Sequence, residues 1–243
     1  MKKFILLGSV VFLFSMLALV PANIVSNFLP SHIAAKQFEG NLWQGSASSL
    51  VVNNTNIGHV SWKLHSGCLL LLKICADIDQ RHADITSSFI LKARQDTELY
   101  DVKAYGNTAM LSNLFAKFGI KPSGTFEADL PKITFVNEQV ETIEGNLQLN
   151  QLVLNGVLRV SMGNVDSKFE PKNDHTHIAV RNDQGHLDMF GSVQLFTDMS
   201  YQVDMKLRKN ENSTDAVING LKYVGKSQSD GSVRLQQNGK LTI

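Results

Sequence analysis

The chain has 243 residues, 43% of them hydrophobic and 19% charged, with a formal net charge of +1. That is enough apolar material for one large domain, or two small ones, with a real core. Setting aside Lys2 and Lys3, 23 basic groups fall to 21 against 22 acidic ones; the cation surplus that phosphate-backbone binding uses is missing, and nucleic acid is not an expected partner.

The first predicted element follows Lys2 and Lys3. Phe4 to Val20 reads FILLGSVVFLFSMLALV and carries no charge. As a helix these residues span roughly 25 Å at ~1.5 Å each, and continuing to Val25 they reach the ~30 Å of a hydrocarbon core. Its apolar positions are Phe4, Ile5, Leu6, Leu7, Val10, Val11, Phe12, Leu13, Phe14, Leu17, Leu19 and Val20. Two readings compete: an uncleaved signal anchor over 1–25, or a signal peptide cut after Ala22, with Val20 and Ala22 as its small residues. The run exceeds the usual signal core of roughly 7–15 residues, which favours the anchor. Either way the two lysines stay in the cytoplasm and the rest of the chain, 26–243, is exported.

Beyond the leader the period is two. HVSWKL places Val60, Trp62 and Leu64 opposite Ser61 and Lys63; GTFEADL places Phe126, Ala128 and Leu130 opposite Glu127 and Asp129. SYQVDMKLR alternates without a fault, with Tyr201, Val203, Met205 and Leu207 on one face. Such alternation predicts antiparallel sheet with one dry and one wet face. GNLQLNQLVL changes phase near Asn150, as a bulge would. Two short amphipathic helices interrupt the strands. One covers LSNLFAKFG, with Leu111, Leu114, Phe115 and Phe118 in a stripe and Gly119 as its stop; the other covers TDAVINGLKYVG, with Val217, Leu221 and Val224 in a stripe.

Cys68 and Cys75 face an oxidising compartment if exported. On a straight strand they are roughly 23 Å apart, and on a helix about 10 Å. Both exceed the ~7 Å limit for a bridge. A bond needs a bend inside CLLLLKIC; two small buried thiols are the simpler expectation.

The chain also resembles itself at an offset near 105. EGNL at 39 returns at 144, IGHVSWKL (57–64) lies against MGNVDSKF (162–169), and DQRHADI (79–85) against DQGHLDM (183–189). The expected fold is therefore mainly β: an N-terminal transmembrane helix, then a curved, largely antiparallel sheet domain made of two similar halves, about 36–130 and 141–240, each with one short helix.

The repeated D-Q-x-H-x-D invites a metal reading through Asp79, His82 and Asp84, then Asp183, His186 and Asp188. A hairpin around Asp183-Gln184-Gly185, with Gly185 supplying positive φ, explains more. His175 and His177 share a strand face and find no completing ligand in sequence. No phosphate-binding glycine loop, nucleophile elbow, HExxH or CxxC is present. The expectation is a protein without catalytic residues, metal or cofactor. Its candidate interaction residues are Trp43 and Trp62, as aromatic anchors, and Phe126, Tyr201, Val203, Met205 and Leu207 on the apolar face.

Taken together, the lysine pair and single span, Gly40, Leu42, Trp43 and Gly45 of FEGNLWQGSASSLVV, Gly58, Val60 and Trp62 of IGHVSWKL, and the late GSVQLFTDMSYQVDMKLR resemble protein N of the bacterial type II secretion system. The resemblance covers nearly the whole chain. It departs where the family usually carries a Pro soon after the second element, since His65, Ser66 and Gly67 stand there, and in the two cysteines. It implies a non-enzymatic accessory component for moving folded proteins from periplasm across the outer membrane. Such a component is anchored in the inner membrane with its bulk in the periplasm, and its partners are other secretion-system proteins. A more distant similarity to AsmA-like proteins, whose curved sheets form apolar grooves, implies lipid as an alternative partner.

Overall fold

A computed structural model describes Phe12, Ser15, Met16 and residues 18–29, 33–52, 55–112, 119–137, 139–221 and 223–241. Strands dominate, helices are few and short, and the chain divides at Arg94 into two compact units.

The first unit carries five strands in sequential antiparallel order: β1 (Ile33–Gly40), β2 (Gln44–Val52), β3 (Thr55–Leu64), β4 (Ile74–His82) and β5 (Ile85–Ala93). The period of two sorts its faces. The register row Phe38, Ala47, Val60, Gln80 and Ser87 lies on the dry face; Glu39, Ser46, Ser61, Asp79 and Ser88 form a row on the wet one. The buried apolar side chains of this unit are small: Ala22, Ala47, Val60, Cys75 and Ala76. Gln80, also buried, is satisfied by donating to the Ile57 carbonyl and accepting from Ser87 Oγ.

Ahead of β1, residues Ala22–Phe28 form a 3₁₀ helix. Ala22 is 1% exposed, Pro21 bridges to Asn41, and the Leu42 N–H donates to the Val20 carbonyl at 2.8 Å. The leader thus meets the sheet at the β1–β2 turn. Phe12, Ser15, Met16 and Ala18 are helical. Phe12, Met16 and Leu19 are 66%, 64% and 76% exposed. Among the described residues no helix is long and apolar enough to cross a membrane; the anchor positions Phe4, Ile5, Leu6, Leu7, Val10, Val11, Leu13, Phe14 and Leu17 lie outside the described residues.

Between β3 and β4 the expectation of free thiols is overturned: Cys68 and Cys75 form a disulfide, with Cα atoms 5.9 Å apart. The missing bend comes from a helical turn, α1 (Ser66–Leu69), followed by Leu72 in the left-handed region at φ +55°. These reverse the chain within eight residues, so neither straight-strand nor straight-helix spacing applies.

The second unit contains β6 (Thr97–Asn107), β7 (Lys121–Val136), β8 (Gln139–Asn155), β9 (Arg159–Pro171), β10 (His175–Asp183), β11 (Leu187–Phe196), β12 (Ser200–Lys209), helix α2 (Asp215–Leu221), β13 (Lys226–Ser227) and β14 (Val233–Lys240). Strand order is sequential through β12, which pairs with β14, and β13 lies outside β14. The predicted phase change in β8 is a bulge: the β8–β9 register jumps between Leu149 and Leu152, Gln151 has φ +51°, and Asn164 Oδ1 accepts from its N–H.

Helix α2 buries Val217 and Leu221 as its spacing predicts, but it stops at Leu221 and leaves Val224 45% exposed. Of the earlier predicted helix, Thr108–Leu111 is a 3₁₀ turn capped by the Asn107 side chain, and 113–118 lie outside the described residues.

The self-similar stretches take like and unlike forms. Gly58 in β3 (φ +89°) and Gly163 in β9 (φ +69°) each face the backbone where the next hairpin turns, at Arg81–His82 and Asp183–Gly185. The two EGNL copies differ. The first makes the β1–β2 turn, with Asn41 Oδ1 accepting from Trp43 and Gln44 N–H; the second runs straight through β8.

Candidate functional site

Cross-strand register gathers five of the seven candidate residues in the second unit. Leu207 lies between Met189 and Val233, Met205 between Gly191 and Leu235, Val203 between Val193 and Gln237, and Tyr201 between Leu195 and Gly239. Small neighbours make room for the large ones: a Cβ on Gly191 would lie 2.9 Å from Met205 Sδ, and one on Gly239 2.6 Å from Tyr201 Oη. Phe126 occupies a parallel position on β7, paired with Gly106 and Leu149, and is 8% exposed.

Coverage along this face is uneven. Helix α2 closes one end, where Leu187, Leu207, Val217, Leu221 and Val233 form a buried cluster with Val160 and Met189 against it. A second cluster, Leu152, Met162 and Val165, lies under β8 and β9. Towards the other end of the strands Ile178, Val193, Leu195, Tyr201 and Val203 are only half-buried. The face is a dry wall with a lid at one end.

Trp43 and Trp62 stand in the first unit. Trp62 packs edge-on to Phe38, with centroids 6.3 Å apart, and its Nε1–H donates to the Leu42 carbonyl at 3.0 Å. Gly45 lets it lie flush, since a Cβ there would sit 2.6 Å from the indole. Trp43 is in the β1–β2 turn, where its carbonyl accepts from Leu64 N–H at 2.7 Å. Both tryptophans are therefore locked around the place where the leader joins the sheet.

The wet faces are laced with ion pairs, most of them cross-strand. Lys132 meets Glu98 at 2.7 Å, Arg208 meets Asp188 at 3.2 Å, Lys206 meets Asp230 at 2.6 Å, and Arg234 grips Asp204. Hydrogen bonds from Lys206 and then Ser232 hold the Asp230 carboxyl well below the usual range. Asp204 is lowered by Arg234, and Asp188 by Asn210 first and Arg208 second. Around Glu39, Ser46, His59, Ser61, Lys63 and Asp79 the first unit has a shallow depression of about 560 Å³, lined by charges of both signs.

The repeated D-Q-x-H-x-D does not assemble into ligand sets. Strand alternation puts Asp79 and His82 on opposite faces; His82 and Asp84 are 3.9 Å apart. Asp188 is engaged by Arg208 and Asn210, and His186 Nδ1 accepts from Ser161 N–H. Among the described residues no three His, Cys, Asp or Glu side chains converge as a metal site needs. The hairpin reading needs one correction: the positive φ falls on Gln184 (+55°), not on Gly185, which is required for space because a Cβ there would lie 2.6 Å from the Met162 carbonyl oxygen. His175 hydrogen-bonds Asp174 and packs on Phe196.

The sequence reading missed one surface. Inside the disulfide loop Leu70, Leu71 and Leu72 are 87%, 67% and 80% exposed, and Ile74 is 50% exposed. Four leucines in a row carry no period, and only the bend reveals which way they point.

No curated protein and no solved structure matches the chain. The family model for type II secretion system protein N matches residues 31–236. With that match spanning both units, the chain belongs to the type II secretion system protein N family.

Proposed function

We propose that this protein is a non-enzymatic accessory component of the type II secretion system. Its sheet stands in the periplasm, a helix within residues 1–25 holds it in the inner membrane, and it supports export of folded proteins across the outer membrane through contacts with other secretion-system proteins. The family match over 31–236 carries this reading. The join between leader and sheet supports the uncleaved anchor. A cut after Ala22 would remove the Val20 carbonyl that accepts from Leu42, the Pro21 bridge to Asn41 and the buried Ala22 itself. The helical residues Phe12 and Met16, and Leu19 just after them, are also exposed rather than packed on the sheet.

Photo-crosslinking in cells from positions 43 and 203 tests the partner. Adducts with other secretion-system proteins are expected, and a clean chain at both positions in a secreting cell would count against the assembly role.

A second reading is favoured by the half-buried apolar rows away from α2: the face between Ile178 and Tyr201 takes an acyl chain, as an AsmA-like module would. Native mass spectrometry of residues 26–243 with phospholipid decides it. Bound lipid that is lost in Val203→Lys supports the groove, and a bare chain removes it.

A further inference from the structure

We propose that the disulfide-closed loop Cys68–Cys75 is a second membrane contact, seating its leucines in the outer, periplasm-facing leaflet of the bilayer that receives the amino-terminal anchor. This rests on the anchored reading above and adds to it a surface that orients the sheet against the lipid.

The loop has the composition and the wiring for such a site. Leu70, Leu71 and Leu72 project into solvent, with Leu69 and Ile74 beside them at 41% and 50% exposure. A run this apolar is unusual on a protein surface unless something covers it. Much of its N–H inventory is already paired within the loop. The Cys68 N–H donates to the His65 carbonyl, Leu71 and Lys73 donate to Cys68, and Leu72 donates to Leu69, all at 2.9–3.1 Å. A segment entering lipid must bring its polar backbone groups paired, because the hydrocarbon offers no partners. The disulfide and the His65 N–H to Cys75 carbonyl bond (2.9 Å) close the base, so the leucines are held out without an ordering cost on contact. Lys73, exposed in the same loop, is the residue type that lays its stem along apolar surface and its charge among headgroups.

Lipid is chosen over a protein partner by position. Val20, where the apolar leader ends, accepts from Leu42 N–H; the adjoining Trp43 accepts from Leu64 N–H; the adjoining His65 donates to Cys75. Three hydrogen bonds and two peptide steps therefore connect the end of the leader to the base of the loop, within one unit. Trp43 and Trp62 lie along the same path, and tryptophan is enriched at bilayer interfaces.

The test uses the full chain in vesicles of phosphatidylethanolamine and phosphatidylglycerol, with and without bromine on the acyl chains. Leu71→Trp places a reporter in the loop, and Val157→Trp places one at a fully exposed position in the second unit. Brominated lipid is expected to quench the emission added by Leu71→Trp at least about twofold, with a blue shift, and to leave the Val157→Trp increment unchanged. Adding Leu70→Ser and Leu72→Ser to Leu71→Trp should restore most of the lost emission. Emission from position 71 that is unquenched, or that shifts only when other secretion-system proteins are added, overturns the proposal. Alkaline carbonate extraction separates the two readings. A chain that resists extraction while position 71 stays unquenched retains the anchor and loses the loop; one quenched at position 71 but stripped by carbonate retains the loop and loses the anchor.

Discussion

The two units cover their dry faces by different means. In the second, large side chains do the work: Leu187, Leu207 and Val233 meet Val217 and Leu221 of α2, and Leu152, Met162 and Val165 form a neighbouring cluster. In the first, the buried apolar positions are Ala22, Ala47, Val60, Cys75 and Ala76, and the β3–β4 connection is closed by a disulfide. A sheet with so little apolar volume buried gains little from the hydrophobic term, and a covalent staple is the usual supplement. The lesson is that one alternating pattern can be stabilised by packing in one place and by chain restriction in another.

The comparison predicts a graded response to mutation. Leu221→Ala removes the centre of the packed cluster and should cost about 3 kcal/mol of the second unit's stability, measured by denaturant unfolding; Val203→Ala, in the half-buried rows, should cost about 1 kcal/mol or less. Equal losses would mean the lid is not where the core lies. Gly163→Ala is next, at about 2–3 kcal/mol, because φ +69° strains any side chain and the Asp183 carbonyl leaves no room for a Cβ. Gly58→Ala should cost less, since its Cβ would stop 2.5 Å from the Arg81 oxygen and 2.9 Å from a side-chain atom of His82; the reverse order would break the parallel between the hairpins. Replacing both cysteines by serine should destabilise the first unit by about 2.5 kcal/mol, as expected for a short closed loop, and leave the second unit's transition in place.

The smallest effect is that of pH. Asp230, Asp204 and Asp188 all titrate below their ordinary value in the folded second unit. A lowered folded pKa means the carboxylate form is favoured by folding. The contribution is complete above the unfolded value near pH ~4 and is lost as pH falls through the folded values. The ion pairs are solvent-exposed, so the loss should be modest and should shrink in high salt. Melting temperature followed from pH 6 to pH 2 checks this, and Asp230→Asn should flatten the curve.

Much of the fold was legible because alternation survives translation into structure: Val60 and Trp62, Phe126 and Ala128, and the Tyr201–Leu207 series each keep to one face. The bulge near Asn150 was legible for the same reason, since a phase slip in the pattern is a phase slip in the pleat. Tertiary context decided what was not legible. EGNL turns at 39–42 and runs straight at 144–147, because Asn41 can cap a turn in one place while β7 and β9 flank the strand in the other. The disulfide hinged on Leu72 adopting φ +55°, which no propensity of leucine announces. Of the candidate site, the residues of the apolar face were named from sequence, but its uneven cover followed from where α2 stops.

The family's role in secretion is tested most directly by deleting the chromosomal copy and measuring how an exoprotein of the system divides between periplasm and medium. The account predicts that the folded exoprotein accumulates in the periplasm and that the full chain, supplied in trans, returns it to the medium. An unchanged share in the medium, with the rest of the secretion machinery intact and required, would contradict it.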